Sequence, residues 1–210
     1  MKITCVPVGM LQTNCYLVTD EQTNRCAVID PGANSQKVLD AIRENGAEVS
    51  YVILTHGHFD HVLAAPAVLR ETGARLMLHA RDESWLAPEF AARPGYIREE
   101  YVQPKVDEYL EDEKVIALGS LSIRVLHTPG HTKGSCVLLV EDVMLSGDTL
   151  FCESCGRCDL DGGNIDEMMH SLKKLAQLPG DYRVLPGHDV PTTLEHERAC
   201  NPYMRQAVRE

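Results

Sequence analysis

The stretch Thr55-His56-Gly57-His58-Phe59-Asp60-His61 places three imidazoles and a carboxylate within six residues, directly after an apolar run. Imidazole and carboxylate groups suit zinc, iron and manganese. A packed core has no use for four such groups in one loop, because each would need its own partner. The competing reading is a polar surface turn with chance histidines, in a chain that holds nine histidines in all. Three further sites argue against chance: Thr128-Pro129-Gly130-His131-Thr132, Ser146-Gly147-Asp148-Thr149 and Pro186-Gly187-His188. Small residues flank each ligand candidate, so loops could approach a common centre. One Gly-His pair carries no weight, whereas four such loops in this order do. Metals held by such donors, with a coordination position left open, generate a nucleophile from water.

These loops need strands to end at one place. Val6 to Val8, Cys15 to Val18 and Cys26 to Ile29 read as short strands separated by polar turns. Pro31-Gly32 stops the third. Ser35 is a candidate cap for a helix with Val38, Leu39 and Ile42 on one face, and Gly46 stands at its C-cap. Tyr51 to Leu54 reads as a buried strand before the histidine loop. A helix is expected from that loop to about Thr72, with Pro66 in its first turn. Arg75 to His79 reads as a strand. From about Ala80 to Lys114, with Pro88, Pro94 and Pro104, a variable insertion over the site is expected. Val115 to Leu118, Leu121 to Leu126, Cys136 to Val140 and Val143 to Leu145 form a second run of strands. A helix over Ile165 to Ala176, a strand over Arg183 to Leu185 and a helical tail after Pro191 complete the chain. Two runs of strands separated by helices predict two sheets packed face to face with helices outside.

The length of 210 residues favours a single domain over 1–210, large enough to bury a core. No window carries the roughly 20 uninterrupted apolar residues a membrane helix needs. The opening Met1-Lys2-Ile3-Thr4-Cys5 has no long apolar region and no cleavage-like site, so a cytoplasmic protein is expected. Acids outnumber bases 31 to 20, for a net charge of -11, and no basic patch marks a nucleic-acid binder. An anionic small substrate stays open, since bound metals invert the local field. Without a secretory signal the eight cysteines read as reduced thiols.

The whole pattern resembles the metallo-β-lactamase superfamily, and within it the glyoxalase II-like, short bacterial-type branch. The resemblance rests on Gln12-Thr13-Asn14-Cys15-Tyr16-Leu17-Val18, Ile29-Asp30-Pro31-Gly32, the four loops above, Gly147-Asp148-Thr149-Leu150-Phe151, and Glu197-Arg198 with Asn201-Pro202. It implies an α/β fold of αββα layers with two divalent metals at one edge, zinc first, iron or manganese otherwise. It implies that His56, His58 and His131 hold one metal, that Asp60, His61 and His188 hold the second, and that Asp148 bridges them. A hydroxide shared by the two metals would be the nucleophile, with Asp60 orienting it. Asp30 is a candidate acceptor behind a ligating imidazole. His79, His127, His170 and His196 match no ligand position and are read as structural or solvated.

The resemblance further implies hydrolysis of a thioester such as S-lactoylglutathione. Full-length relatives carry a helical C-terminal region that grips glutathione, and only residues 189–210 follow His188 here. Arg157 is the leading anion-binding candidate, with an exposed arginine the equal alternative; Lys133 is a weaker one. The run Cys152-Glu153-Ser154-Cys155-Gly156-Arg157-Cys158-Asp159 departs from the family's Gly-Ser-x-Gly-Arg-x-Asp. A fourth clustered cysteine is missing, so free thiols near solvent are expected in place of a closed thiolate site. Two other readings compete. A mononuclear iron persulfide dioxygenase would use His56, His131 and Asp148 alone. A non-catalytic redox-sensing module would rest on the extra cysteines.

Overall fold

The computed structural model describes residues 1–91 and 101–209. The part of the expected insertion that contains Pro94 lies outside the described residues. The first half contains β1 (Lys2–Val8), β2 (Thr13–Asp20), β3 (Arg25–Ile29), α1 (Ser35–Asn45), β4 (Glu48–Ile53), α2 (Phe59–Val62), α3 (Ala65–Thr72) and β5 (Arg75–His79). A 3-10 helix over Ala80–Leu86, α4 (Pro88–Ala91) and β6 (Glu108–Leu110) follow. The second half contains β7 (Val115–Leu118), β8 (Leu121–His127), β9 (Cys136–Val140), β10 (Val143–Gly147) and the short hairpin β11 (Leu150–Phe151) with β12 (Ser154–Cys155). It ends with α5 (Ile165–Ala176), β13 (Arg183–Pro186), β14 (Thr192–Thr193), α6 (Leu194–Cys200) and α7 (Pro202–Arg209).

The strands form two six-stranded sheets, ordered β1-β2-β3-β4-β5-β6 and β14-β13-β10-β9-β8-β7. In the first, β1, β2 and β3 are antiparallel, and β3 to β6 run parallel. In the second, only the β10–β13 pair is parallel. Strand periodicity assigns the layers. On β2, Cys15 and Leu17 pack toward the helices α1 and α3, while Tyr16 and Val18 pack between the sheets. On β9, Cys136, Leu138 and Val140 face the inter-sheet core, and Val137 and Leu139 face α5 and α7. The result is a four-layer αββα sandwich, with helices over both outer sheet faces. Both central strands read as unbroken apolar runs because both of their faces are covered.

Several elements differ from expectation. The helix after the histidine loop is two helices. The break falls at Leu63-Ala64, where the Ala64 N–H donates to Pro31 O at 2.9 Å, and Pro66 then sits in the first turn of α3. Ser35 opens α1 but Asn34 occupies the cap in a left-handed conformation (φ 52°), and its side chain is taken by the Gly9 N–H. Gly46 closes α1 as expected, donating to Ile42 O. Residues 80–114 are more than an insertion. They supply β6, whose Leu110 is buried, as the edge strand of the first sheet. β6 is too short to show a period.

Candidate metal centre

The seven predicted ligands converge where strands of both sheets end. His56 follows β4, and His58 to His61 enter and form α2. His131 follows β8, Asp148 follows β10 and His188 follows β13. Three donor groups have ligand atoms within 4.8 Å of one another: His56, His58 and His131; His56, His61 and Asp148; Asp60, His61 and His188. Asp148 spans the set. Its Oδ1 lies 3.4 Å from His61 Nε2, and its Oδ2 lies 3.5 Å from His131 Nε2 and 3.6 Å from His188 Nε2.

Second partners fix which nitrogen each ring presents. Asp30 Oδ2 lies 3.0 Å from His61 Nδ1, so the anticipated acceptor is in place behind this imidazole. Asp30 also accepts from the Thr55 N–H and hydroxyl, which ties it to the start of the loop. His131 Nδ1 faces Arg157 O at 2.8 Å, and His188 Nδ1 faces Leu11 O at 3.1 Å. Each of these three rings therefore presents Nε2 to the centre. His58 presents Nδ1, which lies 2.8 Å from His131 Nε2.

The backbone is shaped for this convergence. A Cβ on Gly187 would stand 2.3 Å from Asp148 Oδ1 and 2.8 Å from His61 Cε1. The opening motif explains itself here: Asn14 Nδ2 donates to Pro186 O and Asp189 O, and the Tyr16 hydroxyl donates to Pro186 O at 2.7 Å. A first-sheet strand thus clamps the second-sheet loop that carries His188. Asp82, which the sequence analysis passed over, clamps two other loops. Its Oδ2 accepts from the Gly57 N–H (2.9 Å) and the Thr132 hydroxyl (2.6 Å), and its Oδ1 accepts from the Gly134 N–H (2.7 Å). Asp82 is fully buried between the loops of His56/His58 and His131. Beside Glu83 in a short 3-10 helix, Asp82 had no local pattern to mark it.

The residues fit bound cations on two grounds. Among the described residues, His56 Nε2 and Asp148 Oδ1 are buried and have no hydrogen-bond partner, a cost that a shared cation removes. Charge points the same way. Burial opposes a proton on His61, but Asp148, Asp60 and Asp30 outweigh it and raise its pKa. Burial pushes Asp60 up, yet His61 and His188 hold its carboxyl below the ordinary range. His56, fully buried and beside other imidazoles, is driven toward the neutral, ligating form. Three carboxylates around one buried ring call for positive charge.

One side of the centre opens into a cavity of about 660 Å³, lined by Leu11, Phe59, Trp85, Phe151, Leu160 and Arg157 among others. Arg157 reaches it, but its guanidinium makes two 2.9 Å bonds to Asp159, and both side chains are exposed. Lys133 does not belong to the lining; it is exposed, and its carbonyl faces His127 Nε2 at 2.9 Å. His127 stacks on His79 at 4.1 Å, and His170 bonds within α5.

The pattern of the metallo-beta-lactamase superfamily matches residues 8–188. The chain belongs to that superfamily. The hydroxyacylglutathione hydrolase GloC of Haemophilus influenzae is 31% identical over 97% of this chain and 98% of its own. The solved structure of the BLEG-1 B3 metallo-beta-lactamase superposes with a TM-score of 0.88 at 31% identity, covering 97% of this chain and 99% of that one. TTHA1623, solved in a di-iron-bound form, gives 0.84 at 33% identity, over 95% of this chain and 99% of that one. This superfamily member is a metal-dependent hydrolase with His/Asp clusters suited to a metal pair. Among its described residues, no helix is long and apolar enough to cross a membrane.

Proposed function

We propose that this superfamily member hydrolyses a thioester of the S-lactoylglutathione type, giving a hydroxy acid and a free thiol, with two divalent metals, zinc first, as cofactors. The observation that carries the reading is the buried Asp148 carboxylate lying between two complete donor triads. In this assignment His56, His58 and His131 hold one ion, Asp60, His61 and His188 hold the other, and Asp148 serves both. The pair, when bound, supplies activated water and polarisation of the scissile carbonyl.

The chain's own residues do the rest. Asp60 Oδ2 is steadied by the Thr13 hydroxyl at 3.2 Å, and Asp60 borders the cavity. It can accept a hydrogen bond from the attacking water and aim that water at the carbonyl. Leu11, Phe59, Trp85, Phe151 and Leu160 offer an apolar wall for the acyl group and the thiol carrier. A thiolate leaves without prior protonation, because thiols ionise near pH ~8.5. That suits a lining whose histidines, His58, His131 and His188, all belong to the donor set. Arg157 lines the cavity and offers its guanidinium to a carboxylate of the thiol. Its exposed pair with Asp159 contributes little and is exchangeable for a substrate anion. The similarity to GloC supports glutathione as that thiol. The free cysteines fit a reducing compartment such as the cytoplasm.

The dioxygenase reading, with His56, His131 and Asp148 on one iron, leaves Asp60, His61 and His188 without a task. The complete second triad favours the binuclear hydrolase. The test is metal content on protein purified without chelator, followed by thioester assays before chelation, after it, and after reloading. At least two metals per chain, with activity lost and restored in step, is the expected result. One iron per chain with oxygen uptake on a persulfide, or thioesterase activity indifferent to chelation, would overturn the proposal.

A further inference from the structure

We propose that Cys152, Glu153 and His196 form a separate cation site, built on a thiolate and suited to a borderline-soft divalent ion such as zinc. The Cys152 Sγ, a Glu153 carboxylate oxygen and a His196 ring nitrogen all lie within 4.8 Å of one another. Glu153 Oε1 is 3.0 Å from His196 Nε2. One thiolate, one imidazole and one carboxylate are all zinc donors, with bond lengths of roughly 2.0–2.3 Å. None of the three belongs to the seven ligands of the catalytic centre. Free thiols near solvent were expected along this run, but Cys155 and Cys158 pack against the core beneath α5. Among the described residues, Cys152 is the cysteine of the run that shares a donor group.

The scaffold holds the trio in place. Cys152 and Glu153 are the tip of the β11–β12 hairpin, and His196 lies in α6. Glu153 sits at φ 53°, a conformation a non-glycine residue adopts at a cost. Its N–H donates to Glu197 Oε2 at 2.8 Å, and Glu197 is fully buried. Glu197 also receives Thr192 Oγ1 and Asn201 Nδ2, and Asn201 Nδ2 donates to Ser154 O. The closing Glu197 and Asn201 of the sequence motif therefore bolt the hairpin to α6, and the three donors face each other without a folding step. The other end of the hairpin, Phe151, Ser154 and Cys155, lines the cavity. A cation at the tip would fasten that cavity wall to α6.

Cobalt(II) separates this site from the catalytic pair, because the seven catalytic donors include no sulfur. Metal-free protein is titrated with cobalt and followed in the near ultraviolet for thiolate-to-cobalt charge transfer. The expected result is a charge-transfer band that grows with a third equivalent, is absent in Cys152→Ser, and persists in Cys158→Ser. His196→Gln leaves the thiol in place and gives an independent reading, with affinity for that equivalent falling by about tenfold or more. No band in the wild type at three equivalents, or a band that survives Cys152→Ser, overturns the proposal. So does unchanged affinity in His196→Gln, which would leave Glu153 and His196 as a hydrogen-bonded pair only.

Discussion

Asp82→Asn is the most informative single change, because it keeps the shape and alters only what the group can accept. Asp82 takes two backbone N–H groups on different oxygens, Gly134 on Oδ1 and Gly57 on Oδ2. An amide has one oxygen, so either orientation turns its NH2 toward one of those N–H groups. The Thr132 hydroxyl can rotate to accept, since it also pairs with the Ser135 hydroxyl at 2.7 Å, but a backbone N–H cannot. One buried donor is left without a partner, at about 1–3 kcal/mol. Burial raises the pKa of Asp82, so losing its charge returns part of that cost. The net expectation is about 1–2 kcal/mol, read as a lowered urea midpoint in metal-free protein. The same loops carry His56, His58 and His131, so the affinity for the ion of that triad should fall about 10–100-fold in chelator competition. An unchanged midpoint together with unchanged competition would refute the clamp.

Gly187→Ala drives a methyl into Asp148 Oδ1 and His61; metal analysis should show loss at the triad of Asp60, His61 and His188 with the fold retained by circular dichroism, and full metal content would contradict it. Tyr16→Phe removes one of two donors to Pro186 O; because Asn14 still satisfies that carbonyl, the loss should be about 0.5–1.5 kcal/mol in urea unfolding. Asp20 accepts from the Thr23 hydroxyl and the Ser120 N–H, which hold its carboxyl well below the usual range. A depressed folded-state pKa stabilises above the ordinary carboxylate value and ceases to as pH falls toward the folded value. The Tm gap between wild type and Asp20→Asn should thus be open at neutral pH and close in acid; a gap independent of pH would count against this linkage.

What could be read in advance followed from adjacency. His56, His58, Asp60 and His61 share one loop, and Gly130, Gly147 and Gly187 each stand beside a ligand candidate, so local sequence announced a convergence. Strand runs such as Cys15 to Val18 and Cys136 to Val140 were legible because both faces are buried and every residue is apolar. Long-range partners were not. Asp82 meets Gly57 and Gly134 only after both sheets form, and no spacing rule links 25 and 52 residues. His196 matched no ligand position and read as structural or solvated; its partner Glu153 lies 43 positions away. Arg157 lines the cavity, but Asp159, two residues on, claims its guanidinium through local geometry that composition does not encode.

The seam between the sheets divides the ligands unequally. His56, His58, Asp60 and His61 come from the first half, and His131, Asp148 and His188 from the second. Under the proposed assignment, each ion draws two ligands from the first half and one from the second, with Asp148 between them. Neither half alone owns a complete coordination sphere. Metal capture thus certifies assembly: a chain with one sheet formed and the other still open cannot retain its ions. Conversely, free energy of metal binding is free energy of docking the halves. Withdrawal of the ions should loosen this line first, so amide exchange in metal-free protein should quicken around Pro186 and Gly187 before it reaches the strands of either sheet.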